Sequence, residues 1–489
     1  MVTLISLCAS AQSKQLVADS GFAGQALKNC KTDLRYLNQV IGWQVKWPRQ
    51  WQSIIAAGPE TVGEAITTWS QVPAALTLAT ETLRLGIISE ETAPRAVVIR
   101  VQQQVRDLLS DLTMVNSKYT FKSVENKNAT QWNSLVRENI APAVSKFEKF
   151  IHNEYLSITN TVPGLSQLKG GGECFSDAVT WWTTLSPSLN EIEEIGKRFL
   201  KESRTQLLAT GKKGDTVESM LSDLRTKTKN NRTTAKELLT ISETALARAN
   251  DKTLLSFSKR TKKEIIVREM PKYLQASAPA GYYGRAQGNT PARYIINPSR
   301  PNERRLMAEV IAFHEGVPGH HLWSAYPRKD PTTGYNSGIL EGWALYSEYL
   351  ADEMELYSST YDRQGMITKH LWAASRLIVE PGLHLRGWSR EDAIRFMMEN
   401  TVMSRTEVEI EVDRYIAMPG QSLSYILGAN LILSERKSAR NIMGSLFDIT
   451  EFHDVILEPG VRALPQVRED IRAWVQLTSA GAEQIEHIR

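Results

Sequence analysis

Apolar residues recur at helical spacing along much of this chain. In residues 189–207, leucine, isoleucine and phenylalanine recur at that spacing, and Glu and Lys occupy positions between them. Ser186-Pro187-Ser188 directly precedes this stretch. Such a pattern predicts an amphipathic helix that follows an N-terminal capping signal. Residues 366–380, 390–400 and 464–480 have the same pattern. We therefore predict a mainly α-helical protein.

Strict alternation of apolar and polar residues, which indicates a half-buried strand, is scarce. The best strand candidates are Glu264–Val267 and Arg293–Asn297, so a small strand element is expected among the helices. The turn Gly170-Gly171-Gly172 indicates a break in the chain. We predict an N-terminal helical part, residues 1–165, and a part that carries the chemistry, residues 166–489, with one continuous domain as the alternative.

Composition narrows the class of protein. Hydrophobic residues make up 42% of the 489 residues and charged residues 23%, which is ordinary for a globular protein and excludes disorder as the main state. A net charge of +4 is too small to favour a nucleic-acid or membrane-surface partner. The longest uncharged stretch, Tyr415–Ser434, contains Pro419-Gly420, so we predict a buried, interrupted segment there and no membrane span.

The cysteines and the N-terminus bear on location. Three cysteines, Cys8, Cys30 and Cys174, are too few for a disulfide framework or a thiolate zinc site. Val2–Cys8 is apolar but short, and no basic residue precedes it, whereas a signal peptide has a basic start and a longer apolar stretch. These features predict a cytoplasmic protein, with secretion as the alternative.

Three histidines lie within eight residues, in His314-Glu-Gly-Val-Pro-Gly-His-His321. The short zinc-protease motif places two histidines four residues apart, on one helix face, with a glutamate beside the first as general base. Here His320 is six residues after His314 and His321 is seven. On a regular helix His320 lies on another face and His321 about 10.5 Å along the axis, so neither could share an ion with His314.

Pro318-Gly319 changes this expectation, because proline kinks a helix and glycine tolerates unusual dihedrals. A distortion there would bring His320 into the place of the missing ligand, with His321 as the alternative. Glu341 follows on a second predicted helix, about where many zinc hydrolases obtain a third ligand, and three ligands leave one position for water. Glu348 lies on the same face as Glu341 and is expected to orient a ligating histidine.

These motifs resemble those of the family known as domain of unknown function 885, which has His-Glu-x-x-Pro-Gly-His-His followed by Glu-Gly-Trp-Ala-x-Tyr-x-Glu. The resemblance covers residues 281–460 and extends more weakly toward Gly172-Glu173. The family is grouped with zincin metallopeptidases whose third ligand is glutamate. The resemblance therefore implies a large helical zincin-like fold with a small strand element beside the metal-binding helix. Trp323 and Phe175 depart from the family pattern and are expected to reshape the substrate pocket.

A zinc hydrolase needs a base and a donor to the oxyanion. Glu315 is the candidate base. The candidate oxyanion donors are Tyr415, Tyr425 and His384. The candidate substrate-binding residues are Arg376, Arg414 and Trp323. For each tyrosine the alternative is a core residue, and for Arg414 it is an ion pair with Asp413 or Glu411.

We therefore predict a zinc-dependent hydrolase that cleaves a peptide or another small amide. The ligand types suit iron or manganese as well as Zn²⁺. One alternative is a biosynthetic enzyme that uses the same His/His/Glu site for condensation, cyclisation or C–N cleavage of a small molecule. The other is a binding protein with a vestigial site, which the presence of Glu315 disfavours. No Gly-x-Ser-x-Gly or phosphate-binding glycine loop supports another chemistry.

Overall fold

A computed structural model describes residues 37–486, except 124, 260, 262, 276–278, 287–289 and 329–333. The N-terminal run Val2–Cys8 lies outside the described residues. The protein is mainly α-helical with one small sheet in the described part of the chain, which confirms the predicted fold class.

The α-helices, numbered in chain order, share no repeat and vary widely in length. They are α1 Trp43–Ala57, α2 Gly63–Trp69, α3 Val72–Ile88, α4 Arg95–Thr113, α5 Lys127–Ser134, α6 Ala141–Phe150, α7 Gly171–Thr183, α8 Leu189–Ala209, α9 Val217–Asn230, α10 Ala235–Lys252, α11 Lys272–Gln275, α12 Pro301–Arg304, α13 Ala308–Glu315, α14 His320–Ala325, α15 Ser337–Glu353, α16 Thr360–Leu385, α17 Arg390–Asn400, α18 Arg405–Ala417, α19 Ser424–Met443, α20 Ile449–Leu457 and α21 Leu464–Glu486. The strands are β1 Ile265–Glu269, β2 Gly281–Gly284 and β3 Ala292–Ile296.

The four helices predicted from apolar spacing are present as α8, α16, α17 and α21. The start of α8 shows why the capping signal in the sequence predicted this helix. The hydroxyl of Ser188 accepts a hydrogen bond from the backbone N–H of Glu191, and the Glu191 carboxylate accepts one from the backbone N–H of Ser188. This reciprocal cap satisfies two amides that the helix itself leaves without partners.

The sheet has the strand order β1-β3-β2, in which β1 is parallel and β2 antiparallel to the central β3. Both strands predicted from the sequence, β1 and β3, are confirmed. The pattern missed β2, because its four residues, Gly-Tyr-Tyr-Gly, carry no alternation of apolar and polar side chains.

The chain divides into two compact units. The first contains the described residues up to Ala178 together with Gly382–Glu391 and Glu411–Pro419. The second contains Val179–Pro381, Asp392–Ile410 and the described residues from Gly420 onward. The chain therefore re-enters the first unit twice, once within α16 and once within α18, which apolar periodicity alone does not reveal.

Each unit has its own core. In the first, the rings of four tryptophans pack with centroids 5.0–6.4 Å apart. They are Trp43, Trp47, Trp51 and Trp69. In the second, α15 packs against α13 and α19, and α10 packs against α13 and β1. The elements that carry the histidine and glutamate motifs therefore meet inside the second unit.

The uncharged stretch Tyr415–Ser434 is interrupted as predicted, since α18 ends at Ala417 and α19 begins at Ser424. No single helix in the described part of the chain is long and apolar enough to cross a bilayer. Arg405–Ala417 and Gln421–Leu446, taken together as a bent pair, do reach that length and apolarity.

Glycines allow α15 and α19 to approach closely. A methyl group on Gly428 of α19 would lie 2.1 Å from the carbonyl oxygen of Gly338, and one on Gly342 would lie 2.5 Å from the α-carbon of Gly428. Both distances are far below van der Waals contact, so any larger residue would push the helices apart. The contact matters because α15 and α19 carry candidate site residues.

We therefore predict that Gly428→Ala lowers the free energy of unfolding by about 1–3 kcal/mol, the usual effect of overpacking a core. Urea denaturation would measure it. Gly63→Ala is the matched control, because a methyl group there meets nothing within 4 Å. Equal stability of the two variants would contradict the close approach of α15 and α19.

Candidate metal centre

The helix that carries His314 is broken where the sequence predicted. It ends at Glu315 as α13, and a new helix, α14, begins at His320. The backbone N–H of Gly319 donates a hydrogen bond to the carbonyl of Phe313, 3.0 Å away. A methyl group on Gly319 would lie 2.0 Å from the His314 carbonyl oxygen, so only glycine fits. The change of direction takes place over the whole turn from Gly316 to Gly319, and not only at the Pro318-Gly319 pair where the sequence predicted it.

The break brings His314 and His320 together with Glu341 of α15. The Nε2 atom of each histidine lies 3.5 Å from Oε2 of Glu341, and the two imidazole centroids are 4.9 Å apart. One ligand atom from each of the three residues lies within 4.8 Å of the other two. A tetrahedral zinc ion with bonds of about 2.0–2.1 Å separates its ligand atoms by about 3.3–3.4 Å. The donor types and their spacing therefore fit such an ion.

Glu348 organises the side of His314 that faces away from this cluster. Its carboxylate is fully buried and accepts a hydrogen bond from Nδ1 of His314 at 2.6 Å. It also forms an ion pair with Lys369 of α16 and accepts a bond from Nε2 of His370 at 3.1 Å. A carboxylate only accepts, so Nδ1 of His314 carries a proton, and Nε2 is the nitrogen that faces Glu341.

The charge of Glu348 survives its burial. Burial alone would raise its pKa, but the charge of Lys369 and the hydrogen bonds from His314 and His370 outweigh that effect and lower the pKa. The carboxylate therefore stays ionised and can hold the His314 ring in one orientation.

His321, the alternative second ligand, is directed elsewhere. Its Nε2 donates to the carbonyl of Lys263 at 2.8 Å, and its Nδ1 lies 3.3 Å from the hydroxyl of Tyr283 on β2. Burial lowers the pKa of His321, so the ring is neutral. With both nitrogens engaged, His321 supports the turn beside His320 rather than joining the cluster.

Glu315, Tyr425 and Arg376 belong to the second unit with the cluster. Glu315 directly follows His314 and is 9% exposed, and its charge adds to the effect of burial in raising the pKa of Tyr294. The ring of Tyr425 stacks on the ring of His314, with centroids 6.1 Å apart and planes 16° apart. The guanidinium of Arg376 lies 4.7 Å from the centroid of Tyr425.

His384, Tyr415 and Arg414 lie in the first unit. His384 donates from Nε2 to the carbonyl of Tyr415 at 3.1 Å and stacks on Phe175, with centroids 5.3 Å apart. Tyr415 is fully buried. Arg414 pairs with Glu411 at 3.3 Å, which confirms the ion pair expected as the alternative for this arginine.

Trp323, the remaining candidate for substrate binding, is buried in α14. The ring centroid of Trp323 lies 5.8 Å from that of Trp343, and the guanidinium of Arg328 lies 5.3 Å from the Trp323 centroid. If Trp323 shapes the substrate pocket as predicted, it would therefore do so through the packing of α14 and not by direct exposure to the substrate.

A second buried carboxylate, Glu380 of α16, lies in the same unit. It accepts hydrogen bonds from the backbone N–H groups of Gly420 and Ser422 and from the hydroxyl of Ser422. Burial raises its pKa to about 7, although these hydrogen bonds and the charge of Arg376 act in the opposite direction.

Sequence reasoning missed Lys369, His370, Tyr283 and Glu380. A signal existed for the first two, because a Lys-His pair interrupts the apolar positions of the predicted helix 366–380. Tyr283 stacks near His320, with centroids 6.5 Å apart, but it lies on the strand that the pattern did not reveal.

Residues 11–471 match the family described as "Bacterial protein of unknown function (DUF885)". The chain belongs to this family. The match confirms the resemblance inferred from the two motifs and extends it to most of the chain. No curated protein matches this chain.

Two solved structures share the fold. One is described as a "putative lipoprotein" from Colwellia psychrerythraea, with a TM-score of 0.76 and 24% identity, over 90% of this chain and 81% of that chain. The other, a protein of the same description and of unknown function from Shewanella oneidensis, has a TM-score of 0.62 and 15% identity, over 88% of this chain and 84% of that chain.

These descriptions contradict the cytoplasmic location predicted from the sequence, because a lipoprotein is held at a membrane by its lipid. The prediction was wrong because the short apolar run Val2–Cys8, without a preceding basic residue, was taken as evidence against export.

The site geometry predicts different roles for the two glutamates of α15. Glu341→Gln removes a charged ligand and should leave the purified protein without metal after dialysis. Glu348→Gln leaves the three candidate ligands in place but removes the charge that supports His314 and pairs with Lys369, and loss of such support typically lowers metal affinity about 10–100-fold. Elemental analysis of the dialysed proteins would measure both.

Glu353→Gln is the matched control, because Glu353 is on the same helix but half exposed and paired with Arg436. It should retain as much metal as the unmodified protein. Equal metal content in the Glu341 and Glu348 variants would contradict the assignment.

Proposed function

We propose that this DUF885 protein is a zinc-dependent hydrolase of the zincin type that cleaves a peptide or another small amide. The observation that carries the proposal is the convergence of His314, His320 and Glu341 at spacings that suit one tetrahedral ion. The position of Glu315 beside His314 supports hydrolysis in particular, because a general base in that position is part of the zinc-protease motif.

His314, His320 and Glu341 would hold the metal through two Nε2 atoms and one carboxylate oxygen. When bound, the ion would polarise the substrate carbonyl and make water more acidic. His/His/Glu sets also suit iron and manganese, but three ligands with one open position are characteristic of catalytic zinc. Glu348 would keep Nε2 of His314 unprotonated and directed at the ion, since it occupies Nδ1–H.

The chain's other residues would handle the proton and the developing negative charge. Glu315 would accept the proton of the attacking water on its carboxylate and pass it to the leaving amine. Tyr425 is the best placed of the three candidate oxyanion donors, because its ring lies against His314. Arg376 stacks on Tyr425 and would hold that ring in place.

We propose further that the protein works outside the cytoplasm, at a membrane or in an exported form. The two structural neighbours described as lipoproteins support this. So does Cys174, which is disulfide-bonded, because disulfides persist mainly in oxidising compartments.

We predict that Glu315→Gln keeps the metal and the fold but lowers turnover of a small peptide panel about 10²–10⁴-fold, the usual contribution of a general base. The amide is nearly isosteric but cannot take up the proton. Metal content, circular dichroism and peptide hydrolysis would be measured together. Glu399→Gln, an exposed carboxylate on α17, is the control and should retain full activity.

Two results would contradict this role of Glu315. Loss of metal from the variant would make Glu315 a ligand, so the proposed site would be wrong. Full activity would mean that activated water is not the nucleophile, which would favour the biosynthetic alternative over hydrolysis.

Location makes a separate prediction. In fractionated source cells the protein should be found with the membrane or exported fraction, and Cys174, which is buried in the folded protein, should react with a maleimide in denatured protein only after reduction. Peptide mapping by mass spectrometry would follow the labelled cysteine. A cytosolic protein whose Cys174 reacts without reduction would contradict export.

A further inference from the structure

The turn that precedes Tyr425 is held by a buried carboxylate. Glu380 is fully buried and accepts hydrogen bonds from the backbone N–H groups of Gly420 and Ser422, the latter at 3.1 Å, and from the Ser422 hydroxyl. Gly420 has a φ of 79°, which glycine adopts readily and other residues rarely do. The turn continues as a short 3₁₀-helix, Gln421–Leu423, and α19 begins directly after it.

Tyr425 is the second residue of α19, so its position depends on where this turn is held. Its ring stacks on His314, with centroids 6.1 Å apart. Arg376 lies one turn before Glu380 on α16 and places its guanidinium 4.7 Å from the Tyr425 centroid. One helix therefore contacts both the turn before Tyr425 and the tyrosine ring itself.

We infer that Glu380 is a positioning residue that holds Tyr425 against His314 through the turn Gly420–Ser422. The inference rests on the proposed function in one respect, namely that Tyr425 donates to the oxyanion of the substrate. The holding of the turn is independent of that function.

The chemistry of Glu380 supports this role. A turn that needed only a cap could be held by a neutral Asn or Ser side chain. A carboxylate accepts charge-assisted hydrogen bonds, which are shorter and stronger than neutral ones. Burial raises the pKa of Glu380 to about 7, whereas its hydrogen bonds to Ser422 and Gly420 act in the opposite direction because they favour the ionised form.

Glu380→Gln tests the inference. The amide oxygen still accepts, but the amide nitrogen faces at least one N–H donor, so one or more bonds to the turn are lost. Deuterium uptake in residues 418–427 should become roughly two- to tenfold faster, as expected for losing a bond of ordinary strength. Turnover should fall up to about 100-fold, because a small displacement of a reacting group can have that effect. Metal content should not change.

A double-mutant cycle separates positioning from general stability. If Glu380 acts through Tyr425, Glu380→Gln should reduce turnover much less in a Tyr425→Phe background than in the unmodified protein. Ser422→Ala, which removes one donor to the carboxylate, should cause a milder form of the same effects and remains usable if Glu380→Gln does not fold.

Glu435→Gln is the matched control. Glu435 is a buried carboxylate on the same helix, α19, but it pairs with Arg472 and Arg468 of α21. This variant should leave turnover and exchange in residues 418–427 unchanged.

The outcomes for the inference and for the proposed function are distinct. Unchanged exchange in residues 418–427, or an equal loss of turnover in both backgrounds, would overturn the role of Glu380. If the unmodified, metal-loaded protein hydrolyses no peptide, the proposed function fails. Faster exchange in Glu380→Gln would then still establish that Glu380 holds the turn.

Discussion

The second unit depends on a buried charge that must be neutralised. An isolated carboxylate inside a protein is very unfavourable, so the fully buried Glu348 requires charged or hydrogen-bonding partners close by. It finds them on two other helices, His314 on α13 and Lys369 and His370 on α16. Removing any one of these partners would leave another buried polar group without compensation. The network therefore fixes the relative positions of α13, α15 and α16, and α13 and α15 carry the candidate ligands His314 and Glu341.

His314 is restrained on several sides by residues of the chain. Its Nδ1 donates to Glu348, its ring face lies against Tyr425, and its Nε2 lies 3.5 Å from Glu341. The glycine-mediated approach of α15 and α19 contributes to this, because α15 carries Glu341 and Glu348 and α19 carries Tyr425. A site restrained in this way needs little reorganisation to bind an ion or a transition state.

Local features of the site could be predicted from the sequence, because each depends on neighbouring residues. The break at Pro318-Gly319 follows from the rules for proline and glycine in helices, and Glu341 and Glu348 share a face because they are seven residues apart. Lys369 and Glu380 could not be placed, because their partners are 21 and 40 or more residues away and only tertiary packing brings them together. The division into units was also hidden, because the chain returns to the first unit through short segments of helices that look continuous.

The positions of the polar groups favour the proposed metal centre over the vestigial site that the sequence left as an alternative. A protein that had no use for an ion could replace His314, Glu348 and Lys369 with apolar residues, which is often neutral or stabilising for a buried ion pair. Here the polar groups form a chain of contacts that leads from Lys369 and His370 to the candidate ligands. Lys369 and His370 neutralise Glu348, Glu348 occupies Nδ1 of His314, and Nε2 of His314 lies toward His320 and Glu341. Under the proposed function, each of these contacts would prepare the next residue to bind a cation, an order that a purely structural hydrogen-bond network would not require.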